Sequence, residues 1–135
     1  MKKDIQIREV SDVYVAVVNE ENNQGHNEWN AYLINDKEEP IENTFVSSKG
    51  YLIDVHGKVL KSSTLRHYYK VVPAKSFQKI EIVVEDVLHL NNEYFVSFYH
   101  NGHLLDKKFV FLPETINDKN LSLIPVIGKK GVWIK

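Results

Sequence analysis

The chain has 135 residues, of which 43% are hydrophobic, and a formal net charge of −1. This length is typical of one domain and supplies enough apolar side chains for a core, so we expect a single domain over residues 1–135. The near-neutral charge argues against broad electrostatic capture of nucleic acid or membrane. The absence of cysteine excludes disulfides, thiolate nucleophiles and cysteine-based metal sites.

The N-terminal sequence carries Lys2 and Lys3 but continues with polar residues where a signal peptide needs an apolar run. No stretch approaches the roughly 20 consecutive apolar residues of a transmembrane helix. We therefore expect a cytoplasmic protein without a membrane partner.

The dominant pattern is short runs rich in Val, Ile, Phe and Tyr, separated by Asn, Gly, Asp and Pro, as is typical of an all-β sandwich or barrel. In chain order the pattern predicts strands over 13–18, 29–34, 44–53, 58–60 and 77–84, then a helical turn within 85–90. In the last of these strands, strict alternation places Ile80, Ile82 and Val84 on one face.

The clearest local prediction is a late hairpin. Segments 94–100 and 103–111 flank Asn101-Gly102, a dipeptide that tolerates positive φ at both central positions of a type I′ turn. A terminal hairpin formed by 121–127 and 132–134 is expected to follow.

Two aromatic residues favour an immunoglobulin-like antiparallel sandwich of about 7–9 strands, with the terminal hairpin as an extension. Trp29 opens the second core strand, where such folds often bury a tryptophan. Tyr94 begins a late strand two residues before a core position, as in the tyrosine corner, whose hydroxyl bonds to backbone upstream. The alternative is that Tyr94 is one more strand aromatic.

The histidines suggest a metal hypothesis at the hairpin turn. His100 and His103 bracket Asn101-Gly102, so the hairpin places the two imidazoles opposite each other, where they can share a divalent ion. A structural site needs four ligands and a catalytic site usually three, and the spacing fixes no third ligand. Familiar nucleophile motifs and phosphate-binding glycine loops are also absent. We therefore expect no cofactor and no metal, and we assign no catalytic residue.

The most suggestive segment, residues 62–70, combines hydroxyls, cations, a histidine and two tyrosines. It lies between predicted strands, where binding residues are often displayed. The candidate binding patch comprises Arg66, His67, Tyr68, Tyr69 and Lys70. Its cations can meet phosphate or carboxylate, and its tyrosines can stack on bases. The alternative is a structural role, in which Leu65, Tyr68 and the aliphatic part of one cationic side chain cover the open end of the sandwich.

Four strings, 63–67, 72–76, 91–99 and 106–111, carry a resemblance to a known family. Over about 13–135 the chain resembles small bacterial proteins, some of which carry the label "phenylalanyl-tRNA synthetase alpha subunit". The chain has only two arginines, Arg8 and Arg66, and no Gly-x-Gly-x-x-Arg string. The resemblance therefore implies association with the tRNA machinery rather than aminoacylation, and it supplies no catalytic residue.

Three hypotheses for function follow. The first is a non-enzymatic module that binds a protein partner or itself as a homodimer, because strands such as 94–96 and 109–111 are apolar on both faces. The second is an RNA- or tRNA-associated accessory protein that uses 66–70 and Lys129-Lys130. The third is a hydrolase or lyase built from scattered histidines and carboxylates.

Overall fold

A computed structural model describes residues 9–134. Its strands are β1 (Val13–Glu21), β2 (Asn27–Asn35), β3 (Ile41–Ile53), β4 (Val59–Lys61), β5 (Leu65–Val72), β6 (Ser76–Val83), β7 (Asn91–His100), β8 (His103–Phe111), β9 (Ser122–Leu123) and β10 (Lys130–Ile134). Short 3₁₀ turns lie at Glu85–Val87 and Asp118–Asn120. The first of these falls within the predicted helical turn.

The strands form two antiparallel sheets that pack against each other, so the predicted all-β sandwich is confirmed. Sheet A has the order β6-β2-β1-β10-β9. In sheet B the order β3-β7-β8 is extended by β4 and β5, which pair with different stretches of the same side of β3. The side of the sandwich where β5 lies near β6 is the edge that matters for the candidate site.

The main core fills the space between the sheets with alternate residues of both. Val15, Val17 and Leu33 from sheet A meet Phe98 and Phe109 from sheet B, and all five are fully buried. Burying one such side chain stabilises a fold by about 1.5–3 kcal/mol relative to leaving it in water. This alternation is what the sequence pattern predicted for the strands that carry the core.

A second, smaller core covers the outer face of sheet A. Val18 and Ile34 on that face are fully buried against Ile124, with Val126 and Ile127 packed around them. The predicted terminal hairpin is therefore wrong in its first arm. Strand β9 contains only two residues, and the chain after it folds back over the sheet.

Strand β5 was missed by the sequence analysis, which treated its residues as a connection. It pairs with β3 from Ile41↔Val72 to Ser48↔Leu65. It is an edge strand with polar residues on both faces, so it lacks the apolar alternation by which strands are recognised in sequence.

Because β6 contains a β-bulge, its residues do not all lie on the faces that the sequence predicted. The pairing with β2 shifts between Ala31↔Glu81 and Tyr32↔Lys79, which leaves Ile80 as the extra residue. Ile80 is buried as expected, but Ile82 is exposed, because the inserted residue reverses the alternation. Val84, predicted on the same face, is exposed as well. Glu81 is thereby turned toward the interior.

The type I′ turn is confirmed, since Asn101 and Gly102 have φ values of 51° and 77°. Within residues 9–134, no helix is long and apolar enough to cross a membrane. The charged start of the chain, on which the prediction of compartment depends, lies outside the described residues.

We expect Ile124→Ala to lower the free energy of unfolding by about 2–5 kcal/mol, because it leaves a cavity under the folded-back segment. Leu123→Ala is the matched control, since its side chain is 68% exposed, and it should change stability by about 0.5 kcal/mol or less. Urea denaturation of both variants measures the difference. Equal effects would show that the second core contributes little.

Candidate functional site

The candidate binding patch divides between two faces because its residues belong to a strand. Arg66, Tyr68 and Lys70 are exposed, whereas His67 and Tyr69 are half-buried. Successive side chains of a strand point to opposite faces, so the five residues cannot form one continuous surface. The structure instead places them at two separate sites.

The exposed half of the patch belongs to the outer face of sheet B. Tyr68 pairs in register with Phe45, and the two rings lie with centroids 4.8 Å apart. Phe45 is 55% exposed and Tyr68 51% exposed. A hollow of about 260 Å³ lies beside them and is lined in part by Arg66 and Phe95. This face therefore presents aromatic side chains next to a guanidinium.

The half-buried part of the patch meets a carboxylate from the opposite sheet. His67 Nε2 lies 2.7 Å from Glu81 Oε1. Ser48 Oγ lies 2.8 and 2.9 Å from the two Glu81 oxygens, and Tyr94 lies near enough for the charge of Glu81 to raise the pKa of its hydroxyl. We name these four residues, Ser48, His67, Glu81 and Tyr94, the Glu81 cluster. It joins sheet A to sheet B at the side of the sandwich.

Two further bonds fix the strands that carry this cluster. The Tyr69 hydroxyl donates to the backbone oxygen of Lys79 at 3.2 Å, which ties β5 to β6. The amide of Asn35 donates to the backbone oxygens of Val72 and Pro73 at 3.1 and 2.9 Å. Asn35 is fully buried, so these hydrogen bonds fix the connection between β5 and β6 from the interior of the sandwich.

Burial and the Glu81 charge keep the neighbouring tyrosines neutral. Burial raises the pKa of Tyr69 to about 12, and the charge of Glu81 adds to the shift. For Tyr94, burial raises the pKa well above its ordinary value, with a further contribution from the charge of Glu81. Both phenols therefore remain donors throughout the neutral range.

The order of partners in the Glu81 cluster differs from that of a nucleophilic triad. In a triad, histidine stands between the hydroxyl and the carboxylate and removes the hydroxyl proton. Here Ser48 and His67 both bond the carboxylate, which accepts from each. Among the described residues, the contact between His67 and the Ser48 hydroxyl that a triad requires is not made.

A cleft of about 290 Å³ opens beside the cluster, between the edges of the two sheets. Ser48, Glu81 and Tyr94 line the part that we call its polar end, and Lys49, Ser62, Ser63, Asn92 and Glu93 also contribute to the lining. Its walls include Leu65, Val83, Val84 and Val87. A concave, mostly apolar space with a few convergent polar groups is the usual form of a small-ligand site.

Ser48 and Glu81 were missed by the sequence analysis. Ser48 lies in a predicted strand, but nothing in the local pattern distinguishes it from other strand serines. Glu81 stands between Ile80 and Ile82, where alternation assigns it to solvent. The sequence signal for Glu81 was a carboxylate between two isoleucines. No turn residue nearby indicates the bulge that turns this side chain inward.

At the tip of the late hairpin, His100 and His103 are paired across the turn, as predicted. His100 Nε2 lies 2.9 Å from Glu39 Oε1. Among residues 9–134, the structure brings no three histidine or acidic side chains together in a group able to hold a metal ion.

The two aromatic residues chosen as structural markers have different positions from those expected. Trp29 is half-buried on β2 and packs against the main core, rather than lying fully inside it. Tyr94 is 2% exposed at a core position of β7. The charge of Glu81 acts on its hydroxyl, and among the described residues that hydroxyl makes no hydrogen bond to backbone of the kind that the tyrosine corner predicts.

Another carboxylate, Glu20, anchors the far side of sheet A. Burial alone would raise its pKa, but hydrogen bonds from Lys129, Tyr32 and Asn30 hold that pKa below its ordinary value. Lys129 is thus engaged on sheet A, whereas Arg66 lies on sheet B. The two basic segments of the RNA hypothesis are therefore on different sheets.

No model of a known protein family, no curated protein and no solved structure matches this chain.

We expect Ser48→Ala to lower the free energy of unfolding by about 1.5–3 kcal/mol, because the hydrogen bond from a buried hydroxyl to the Glu81 carboxylate is lost. The control is Ser76→Ala, whose hydroxyl donates to the backbone oxygen of Pro73 at the surface. Guanidinium unfolding of both variants provides the comparison. An unchanged midpoint for Ser48→Ala would mean that this bond contributes nothing to holding the sheets together.

Proposed function

We propose that this chain is a non-enzymatic interaction module that binds a second copy of itself through the outer face of sheet B. The observation that carries the proposal is the row of exposed aromatic side chains on this face. Phe45, Tyr68 and Tyr99 are all exposed there, and Leu104 lies beside Tyr99 in register. Exposed apolar surface of this kind is typical of association sites.

The sizes of the side chains on this face support self-association. Strands β3 and β7 are central in sheet B, and Phe45 pairs with Ser97 while Ser47 pairs with Phe95. Consider a two-fold axis that runs parallel to the strands, midway between β3 and β7, in the plane where the two outer faces would meet. Such an axis would place each cross-strand row of residues over the same row of the partner, read in the opposite direction. Phe45 would then lie on the partner's Ser97, and Phe95 on the partner's Ser47. Large side chains would meet small ones, as close packing requires.

The rim of this arrangement carries one opposite-charge and one like-charge approach. The flanking positions of the Phe45 row are Tyr68 on β5 and Asp106 on β8. The proposed axis would bring β5 of one protomer over β8 of its partner, so Asp106 would approach Tyr68 and the neighbouring Arg66. Arg66 itself would lie opposite the partner's Lys108, whose charge is offset by Glu93, 3.8 Å away in its own protomer. Opposite charges at the rim fix orientation more than affinity.

The strand neighbours support the finer assignment of the sandwich as immunoglobulin-like. Strand β2 pairs with β6, and β3 with β7 and β7 with β8, which corresponds to the pairs B–E, C–F and F–G of that fold. In this assignment β9 and β10 are the C-terminal extension. The expected cytoplasmic setting is part of the same proposal and is supported by the absence of cysteine.

We expect the wild-type chain to sediment as a dimer at tens of micromolar, and Phe45→Glu to weaken the dimer by about 30-fold or more. The reason is that a charge at the centre of an apolar interface removes a buried anchor and must be desolvated. Leu123→Glu, at an exposed position of sheet A, is the control and should leave the dimer intact. A monomeric wild-type protein would rule out the proposal.

A charge exchange tests the orientation of the pair. Asp106→Arg should weaken the homodimer, because it adds a cation beside the partner's Arg66, and adding Lys108→Glu to this variant should restore association. Restoration is expected because Arg66 then has an acidic side chain opposite it in the proposed stacking. Failure of the double variant to recover would exclude the proposed axis.

A second candidate is favoured by one observation, that Arg66, Tyr68 and Lys70 are exposed together on the aromatic face. Cations with exposed aromatic rings are the usual elements of single-stranded nucleic-acid binding. In this case the same face would bind RNA, as the resemblance to synthetase-labelled proteins implies, and the chain would be a tRNA-associated accessory protein.

If RNA binds, Arg66→Ala should weaken binding to bulk tRNA and reduce its salt dependence, because fewer counterions are released. Tyr68→Ala should cost about 1–3 kcal/mol without changing that dependence. Tyr69→Phe, which alters a side chain turned away from this face, is the control. Affinity weaker than about 10⁻⁴ M at low salt would exclude the RNA candidate.

A further inference from the structure

We infer that the cleft beside Glu81 binds a small aliphatic cation that carries N–H donors, an alkylamine or an alkylguanidine. Its charged head would contact Glu81, Ser48 and Tyr94, and its chain would lie along the apolar walls. This site is on the inner side of β5 and is separate from the outer face proposed for association.

The charged group at the polar end of the cleft is a hydrogen-bond acceptor. A carboxylate only accepts, so Ser48 and His67 must each donate to Glu81. With its hydrogen so placed, the Ser48 oxygen presents lone pairs to the cleft. The Glu81 oxygens offer about four acceptor positions, and the two donors leave two free. A ligand that fits this end must therefore supply donors.

The charges at the cleft also indicate a ligand that carries a cationic donor. The Glu81 side chain is 16% exposed, His67 Nε2 lies 2.7 Å from one of its oxygens, and among residues 9–134 no lysine or arginine forms an ion pair with it. Glu93, the other carboxylate at the cleft, is 3.7 Å from Lys49 and 3.8 Å from Lys108, which neutralise it. Glu81 is thus the charge to be matched, and an ammonium or guanidinium is the complementary group.

The walls and the volume restrict the rest of the ligand. Leu65, Val83 and Val84 offer no polar partner, and the side chains of Ser62 and Asn92, which also line the cleft, already hydrogen-bond to backbone, so the body of the ligand should be apolar. A space of about 290 Å³ lies at the lower end of the range for small-molecule sites. A short alkyl chain with one cationic head meets both conditions.

The test is a titration of ¹⁵N-labelled protein with n-butylamine and n-butylguanidine, followed by amide chemical shifts. We expect saturable shifts at Ser48, Gly50 and Val83. The uncharged probe n-pentanol and the anion butyrate should bind at least about tenfold more weakly, because neither supplies a charged donor.

Two variants locate the binding. Glu81→Gln keeps the shape of the side chain and should weaken n-butylamine by about 30-fold or more, the usual effect of removing a partly buried charge partner. Glu93→Gln is the matched control and should change affinity by less than about threefold, since its carboxylate is already paired with lysines.

Val84→Trp fills the cleft from its exposed rim without altering Glu81, and it should abolish binding. This variant decides the matter if Glu81→Gln fails to fold. The proposal is overturned if n-pentanol binds as tightly as n-butylamine, if Val84→Trp binds normally, or if no probe produces saturable shifts.

Discussion

The arrangement of this sandwich depends on one partly buried carboxylate, Glu81, at the edge where the sheets meet. An ionised group taken out of water costs several kcal/mol unless donors replace the lost hydration. Ser48 and His67, both from sheet B, supply those donors to a residue of sheet A. The requirement to satisfy Glu81 therefore sets how β5 and β3 stand against β6, and it fixes polar chemistry at an otherwise apolar edge.

The same edge marks where prediction from sequence succeeded and where it failed. Strands with an apolar inner face and the Asn101-Gly102 turn follow from local rules, since alternation and left-handed φ are properties of a few adjacent residues. Strand β5 is polar on both faces, so its pairing is decided by β3 and not by its own pattern. The bulge at Ile80 likewise arises from the register with β2, and it alone turns Glu81 inward. The Glu81 cluster and the cleft beside it therefore depend on two features of the tertiary structure, the pairing of β5 with β3 and the bulge in β6.

The surplus of apolar residues noted in the sequence has two structural explanations. On sheet A, residues such as Val18 and Ile34 face away from the main core, but the chain covers them itself with Ile124 and its neighbours. That part of the surplus gives no support to association. On sheet B the described residues provide no such cover, and Phe45 remains exposed. The argument for a partner therefore rests on sheet B alone.

Strand β5 connects the two proposed surfaces. Its outward residues, Arg66 and Tyr68, belong to the association face, and its inward residues, His67 and Tyr69, bond to Glu81 and the backbone of β6. An edge strand held by one neighbour is free to shift unless its inner side is fixed. The inward bonds therefore hold the outward side chains in register. Loss of Glu81 would loosen β5, so an amine bound at the cleft and a partner bound on the outer face would each favour the same position of this strand.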